Sequence, residues 1–204
     1  MAKERKQAAR RLYEMAETQQ GFFTTKQAKA AGYAENTHPY HVGAGNWVRE
    51  HRGVYRLANF PQNDRPDLML WSLWSKNRLG VTRGIYSYET ALSIHDLTDL
   101  MPAKLHMTVP TSFRRNSEIP SQLVLHYGDL PVSDTELVHG VRLTKPLRTI
   151  LDLLTAGHIP ASTLRQALRE GLQRGVIRRS EISGAQHQLR DNKKALQFLR
   201  SAAA

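Results

Sequence analysis

Apolar positions in residues 3–19 recur at helical spacing. Ala8/Ala9, Leu12 and Met15/Ala16 share one side, and Lys3, Arg5, Lys6, Arg10 and Arg11 take other positions. Gly21 ends that pattern. The run FFTTKQAKAAGY predicts a second, shorter helix: Thr24 or Thr25 suits its N-cap, Ala28 and Ala31 suit a close helix contact, and Gly32 is a stop. ENTHPYHVGAGNW predicts a third helix of about two turns, with Asn36 or Thr37 as cap and Pro39 in the first turn, where its missing N–H is harmless. Gly43 and Gly45 close it. The period then changes. Trp47–Glu50 and Val54–Leu57 have strand character and flank a tight His51-Arg52-Gly53 connection, which predicts a hairpin with charge on both arms and at its tip.

ANFPQNDRP, residues 58–66, breaks both periods with two prolines, so the boundary between a domain at 1–60 and another at 61–204 is expected there. DLMLWSLWSK predicts an apolar helix, and GIYSYETALSIHDL a second one capped by Ser87. Three alternating segments read as strands: KLHMTVP (104–110), SQLVLHYG (121–128) and ELVHGVRLT (136–144), the last turning at His139-Gly140. TKPLRTILDLLTAG predicts a helix with Thr144 as cap, Pro146 in its first turn and Gly157 as stop. Residues 160–203 read as three helices broken at Gly175 and near Asn192. The expected fold class is α+β: an N-terminal winged helix-turn-helix, then a small-sheet α+β domain with a helical C-terminus.

Helix, short helix, turn, short helix and two-stranded ribbon is the order of a winged helix-turn-helix. That geometry gives the charges a purpose. The start of the third helix, with Asn36, Thr37, His38, Tyr40 and His41, would reach base edges in the major groove. The start of the second, with Thr24, Thr25 and Lys26, would meet a backbone phosphate through its N–H groups. The hairpin is the wing, its Arg49, His51, Arg52 and Arg56 lying along phosphates or in the minor groove, with Gly53 permitting the turn.

Charge sharpens this picture. The formal net charge is +11, but it is uneven: residues 1–60 hold 10 Lys+Arg against 5 Asp+Glu, residues 61–157 hold 10 against 10, and residues 158–204 hold 9 against 3. A basic excess confined to segments is the footprint of a polyanion binder. No apolar run is long enough for a membrane helix, the N-terminus (KERKQAARR) lacks the core of a signal peptide, and there is no cysteine; a cytoplasmic protein with no membrane partner is expected.

Catalytic patterns are absent from the sequence. No Glu-x-Lys falls on a predicted strand near Asp129, Asp134, Glu136 or Asp152, as a restriction-type nuclease would need, and there is neither a phosphate-cradling glycine loop nor a G-x-S-x-G elbow. We therefore expect no catalytic residues and no cofactor. His38 and His41 have a spacing that could seat a metal, but without cysteine or a neighbouring carboxylate pair no metal site is expected. His106 and His126 read as ordinary sheet residues, and Thr144, Pro146, Arg148, Thr149 and Asp152 as a capped helix with an i,i+4 ion pair.

Taken in order, GFFTTKQAKAAGY, the hairpin GNWVREHRGVYRLANFP, SYETALSIHDL, LHMTVP and GVRLTKPLRTILDLL resemble the AbiEi family, over roughly residues 20–157. The resemblance implies an antitoxin of a type IV toxin–antitoxin (abortive infection, phage defence) system. Such a protein is a transcriptional autorepressor that binds double-stranded DNA at promoter repeats of its own operon. It also implies functional pairing with a nucleotidyltransferase-type toxin, with or without direct contact. The alternatives are a winged-helix regulator without a toxin, its second domain serving dimerisation or effector sensing, and an accessory to a metal-dependent nuclease.

Overall fold

The computed structural model describes residues 2–189 and 192–203. The fold is mixed α+β and forms two compact units, Met1–Gly84 with Val138–Val141, and Ile85–Leu137 with Arg142–Ala204.

In the first unit, α1 (Ala2–Glu17), β1 (Phe22–Thr24), α2 (Thr25–Ala31), a 3-10 turn (Glu35–Thr37) and α3 (His38–Gly43) precede the hairpin β2 (Trp47–His51) and β3 (Val54–Leu57). The sheet is antiparallel in the order β1-β3-β2. Its register sets Phe23 opposite Tyr55, and Tyr55 opposite Arg49. Side chains alternate across a strand. Phe23, Tyr55 and Trp47 therefore share one face and pack with Leu12, Ala16, Ala28 and Ala31 of α1 and α2. Phe22 and Arg56, paired with each other, fall on the opposite face. Strand β1 was not expected: three residues are too few for alternation to show. Gly21 has φ +83°, and a Cβ there would come within 2.5 Å of the Phe60 ring, so both the backbone and the space demand glycine.

The first unit continues past the expected boundary at residue 60. Phe60 also packs on Tyr13, and α4 (Pro66–Trp74) contacts β1 and β3, with Trp71 meeting the His51 ring edge-on at 5.2 Å. The sequence placed α4 in the second domain because it is apolar on nearly all sides. Leu68, Met69, Trp71, Leu73 and Trp74 are all buried, and no polar face indicates a neighbour.

In the second unit, β4 (Ile85–Tyr86), α5 (Tyr88–Ile94), β5 (Leu105–Val109), β6 (Leu123–Tyr127), β7 (Thr135–Val138) and β8 (Val141–Thr144) lead to α6 (Pro146–Ala156), α7 (Ala161–Gln173), α8 (Arg179–Gln188) and α9 (Lys193–Ala203). The sheet order is β6-β5-β4-β8-β7. The central strand β4 has two residues, antiparallel to β5 and parallel to β8, and was not legible in the sequence. Leu92 of α5, Ile150 and Leu153 of α6, Leu164 and Leu168 of α7, and Phe198 and Leu199 of α9 form its core. Two expected caps have other work. Ser87 accepts a hydrogen bond from the Thr108 hydroxyl at 2.8 Å, and the buried Thr144 and Thr149 hydroxyls lie 2.7 Å apart; neither Ser87 nor Thr144 caps its helix through its side chain. Gly157, at φ +78°, does end α6.

Candidate nucleic-acid interface

The polar residues at the start of the third helix do not share one side. The 3-10 turn runs straight into α3, and the Thr37 hydroxyl donates to the Ala34 carbonyl at 2.6 Å instead of capping α3. Asn36 is exposed, and Tyr40 is 71% exposed. His38 points the other way. It is 2% exposed, its ring centroid is 5.3 Å from that of Trp47 and 5.7 Å from that of Tyr55, and neither ring nitrogen has a hydrogen-bond partner. The expectation that His38 reads bases is thus corrected: a side chain enclosed by the aromatic core cannot reach a groove. Val42, four residues on, packs against the same core, so 38 and 42 mark the inward stripe. A six-residue helix is too short for that stripe to show as periodicity.

His41 is held between the two sides. Its ring lies flat on Trp47 at 4.6 Å and meets Tyr33 edge-on at 4.9 Å. Burial, and then the nearby His38, push its pKa below the ordinary histidine value. A neutral imidazole carries one donor and one acceptor, the combination needed at a base edge.

The wing's basic residues also divide. Strand β2 reaches His51 through an irregularity between Arg49 and His51, leaving Arg52-Gly53 as the turn, with Gly53 at φ +77°. Arg49 and Arg52 are exposed. Arg49 lies opposite Tyr55, hence on the face that carries α3. His51 is half-buried against Trp71. Arg56 is buried, and its Nε donates to Glu50 Oε1 at 2.8 Å. With Phe22, Pro61 and Pro66, the pair lines a cavity of about 180 Å³ on the sheet face away from α3. Arg56 therefore leaves the proposed set, because strand alternation turns it away from Arg49.

At the start of α2, Thr24 is spent on structure: its hydroxyl accepts from the Gln27 N–H, and the Gln27 side chain accepts from the Thr24 N–H, a reciprocal capping box. The Thr25 N–H donates to the Gly53 carbonyl at 3.0 Å, tying α2 to the wing tip. Two of the N–H groups expected to meet a phosphate are thus engaged within the protein. The exposed Lys26 ammonium donates to the Arg78 carbonyl at 2.9 Å and stays beside that tip.

In the second unit, Arg148 does more than pair within its helix. It donates to both carboxylate oxygens of Asp152, at 2.9 and 3.0 Å, and to Asp134 at 2.6 Å. Burial opposes its charge, yet those bonds raise its pKa. Among the described residues, no group of three or more His, Asp or Glu is arranged to hold a metal ion, and no helix is long and apolar enough to cross a membrane.

No curated protein matches this chain. Over residues 10–58, from within α1 through the end of the wing, the chain matches the family model described as a transcriptional regulator, AbiEi antitoxin, and the winged helix-turn-helix built above is the part that carries this likeness.

Proposed function

We propose that the chain is a DNA-binding autorepressor and antitoxin of a type IV toxin–antitoxin system. In this reading α3 and the 3-10 turn before it read the promoter of the chain's own operon through Asn36, Thr37, Tyr40 and His41, while Arg49, Arg52 and Lys26 hold phosphates. The observation that carries it is the pairing of exposed arginines on the wing with exposed Tyr40 on α3 and Asn36 on the 3-10 turn before it, within the segment that matches the family model. His51 contributes at most from the wing's flank, and Thr24 and Thr25 hold the scaffold. The protein acts by occupying DNA and not by catalysis.

The partner under this reading is double-stranded DNA with promoter repeats, and a nucleotidyltransferase-type toxin is its functional counterpart. A cytoplasmic site of action follows from both. One observation favours a second reading, a regulator without a toxin: the family match covers residues 10–58, which lie within the first unit. Two measurements test the proposal. Fluorescence anisotropy with duplexes from the operon's own promoter should show binding tighter than to random duplex by at least about 10³-fold. Co-expression with a nucleotidyltransferase from the adjacent reading frame should restore growth. Specific binding without rescue selects the second reading; equal affinity for all duplexes defeats both.

A further inference from the structure

Four titratable side chains from four segments of the second unit converge. Glu89 lies on α5, His106 on β5, His126 on β6, and His158 on the Gly157–Pro160 connection between α6 and α7. The carboxylate of Glu89 is 12% exposed. One oxygen contacts His158 Nε2, and the other lies 3.1 Å from His106 Nδ1. His106 Nδ1 is also 3.0 Å from His126 Nε2, and the two rings stack with centroids 5.2 Å apart. Tyr88 closes the far side, its ring stacked on His126 at 3.9 Å. His158 is the outlier, with a side chain 49% exposed and a place on a connection, whereas the other three belong to helix or sheet.

One carboxylate serves three imidazoles, and this limits the charge the cluster can hold. His106 Nδ1 cannot donate both to Glu89 and to His126 with good geometry, and Glu89 Oε2 is left without a properly aligned hydrogen bond. A single imidazolium beside Glu89 is balanced. A second would share that one carboxylate with the first, with no further carboxylate of the cluster to offset it. The other charged groups near the site do not relieve this. Asp152 and Arg148 of α6, which face Tyr88, are bound to each other, and Arg148 is also held by Asp134 of the segment before β7. The Thr90 hydroxyl of α5 accepts the His106 backbone N–H, at 2.7 Å, and not the imidazole.

We propose that Glu89, His106, His126 and His158 form one proton-binding cluster that works as an acid-opened latch: at neutral pH His158 pins the α6–α7 connection to α5, and on acidification a second imidazolium in the cluster expels it. The least restrained imidazole leaves first because it recovers hydration at least structural cost. Burial is the largest cause lowering the His106 and His126 pKa values; Glu89 opposes it at both and neighbouring imidazoles add to it, and the net shift below the ordinary histidine range keeps the latch closed at neutral pH.

The test uses the full chain. His158 imidazole shifts are followed by NMR from pH 8 to pH 5, together with the protection factor of the Gly157 amide, which donates to Leu153. Opening should lower Gly157 protection by roughly tenfold or more as the cluster takes up its second proton, while core amides of α7 hold theirs. His126→Phe keeps a ring on Tyr88 but removes a proton acceptor, and should move the opening to lower pH. Glu89→Gln removes the anion and should leave His158 free at every pH. Gly157 protection that is flat across the range, or the same profile in wild type and His126→Phe, overturns the latch. Should Glu89→Gln fail to fold, the comparison with His126→Phe still decides.

Discussion

The imidazole of His41 on α3 lies flat against the indole of Trp47 at the base of the wing, 4.6 Å between centroids and 23° between planes. One aromatic stack thus fixes α3 relative to the ribbon whose tip carries Arg52. Thr25 ties the start of α2 to the same tip through the Gly53 carbonyl. Three elements that would touch DNA are held by contacts of short reach, a preorganised surface of the kind that loses little freedom on binding.

The position of His41 leads to a prediction about specificity. His41→Ala should reduce discrimination between operator and random duplex by about 1–3 kcal/mol, with a smaller effect on non-specific affinity. Competition anisotropy with the two DNAs measures it. Equal losses on both would assign His41 to packing alone.

Arg49 and Arg52 are the exposed cations of the wing. The double variant Arg49→Ala/Arg52→Ala should bind every duplex more weakly and flatten the log–log salt dependence by about 0.9 for each phosphate the wing no longer neutralises. A salt series of binding isotherms reads the slope; an unchanged slope in a folded variant takes the wing out of the interface.

Arg56 predicts the opposite pattern. Arg56→Ala leaves Glu50, whose side chain is 26% exposed, without its partner, and should cost about 2 kcal/mol of stability. Binding per folded molecule and the salt slope should be unchanged. Chemical denaturation and the same isotherms separate the two effects, and a flattened slope would return Arg56 to the DNA side.

His38 is enclosed with both ring nitrogens unpartnered. Replacing a buried, unsatisfied polar ring with an apolar one removes a desolvation penalty, so His38→Phe should raise the unfolding free energy by about 1 kcal/mol and leave operator affinity unchanged. A drop in stability would mean that the imidazole makes a bond that a phenyl ring cannot replace.

Burial is the first cause lowering the pKa values of His95, His106 and His126. For a histidine with a depressed folded-state pKa, the unfolded chain binds the proton first. Stability is then fully present above the unfolded value of about 6.5 and is lost as pH falls through the folded values. Thermal melts should give a second-unit midpoint that is flat from pH 8 to 7 and declines below about pH 6.5. A midpoint that rises on acidification would contradict the burial argument.

The sequence by itself determined the elements that are long or sharply punctuated. Leu12 and Ala16 drew α1, Gly32 ended α2, Gly53 marked the wing turn, and Gly157 stopped α6, because helical spacing and left-handed glycines act within a few residues. It also placed the basic excess and the winged helix-turn-helix to which the family match corresponds. Tertiary structure decided which polar residues face outward. His38 and Tyr40 are two residues apart, Arg49 and Arg56 lie on paired strands, and the members of each pair end on opposite sides, since direction depends on the face each element buries. It also decided the short strands β1 and β4, whose ladders come from distant partners. The meeting of Glu89, His106, His126 and His158, up to 69 residues apart, was likewise invisible locally, because sheet order and helix packing bring them together and no spacing along the chain records it.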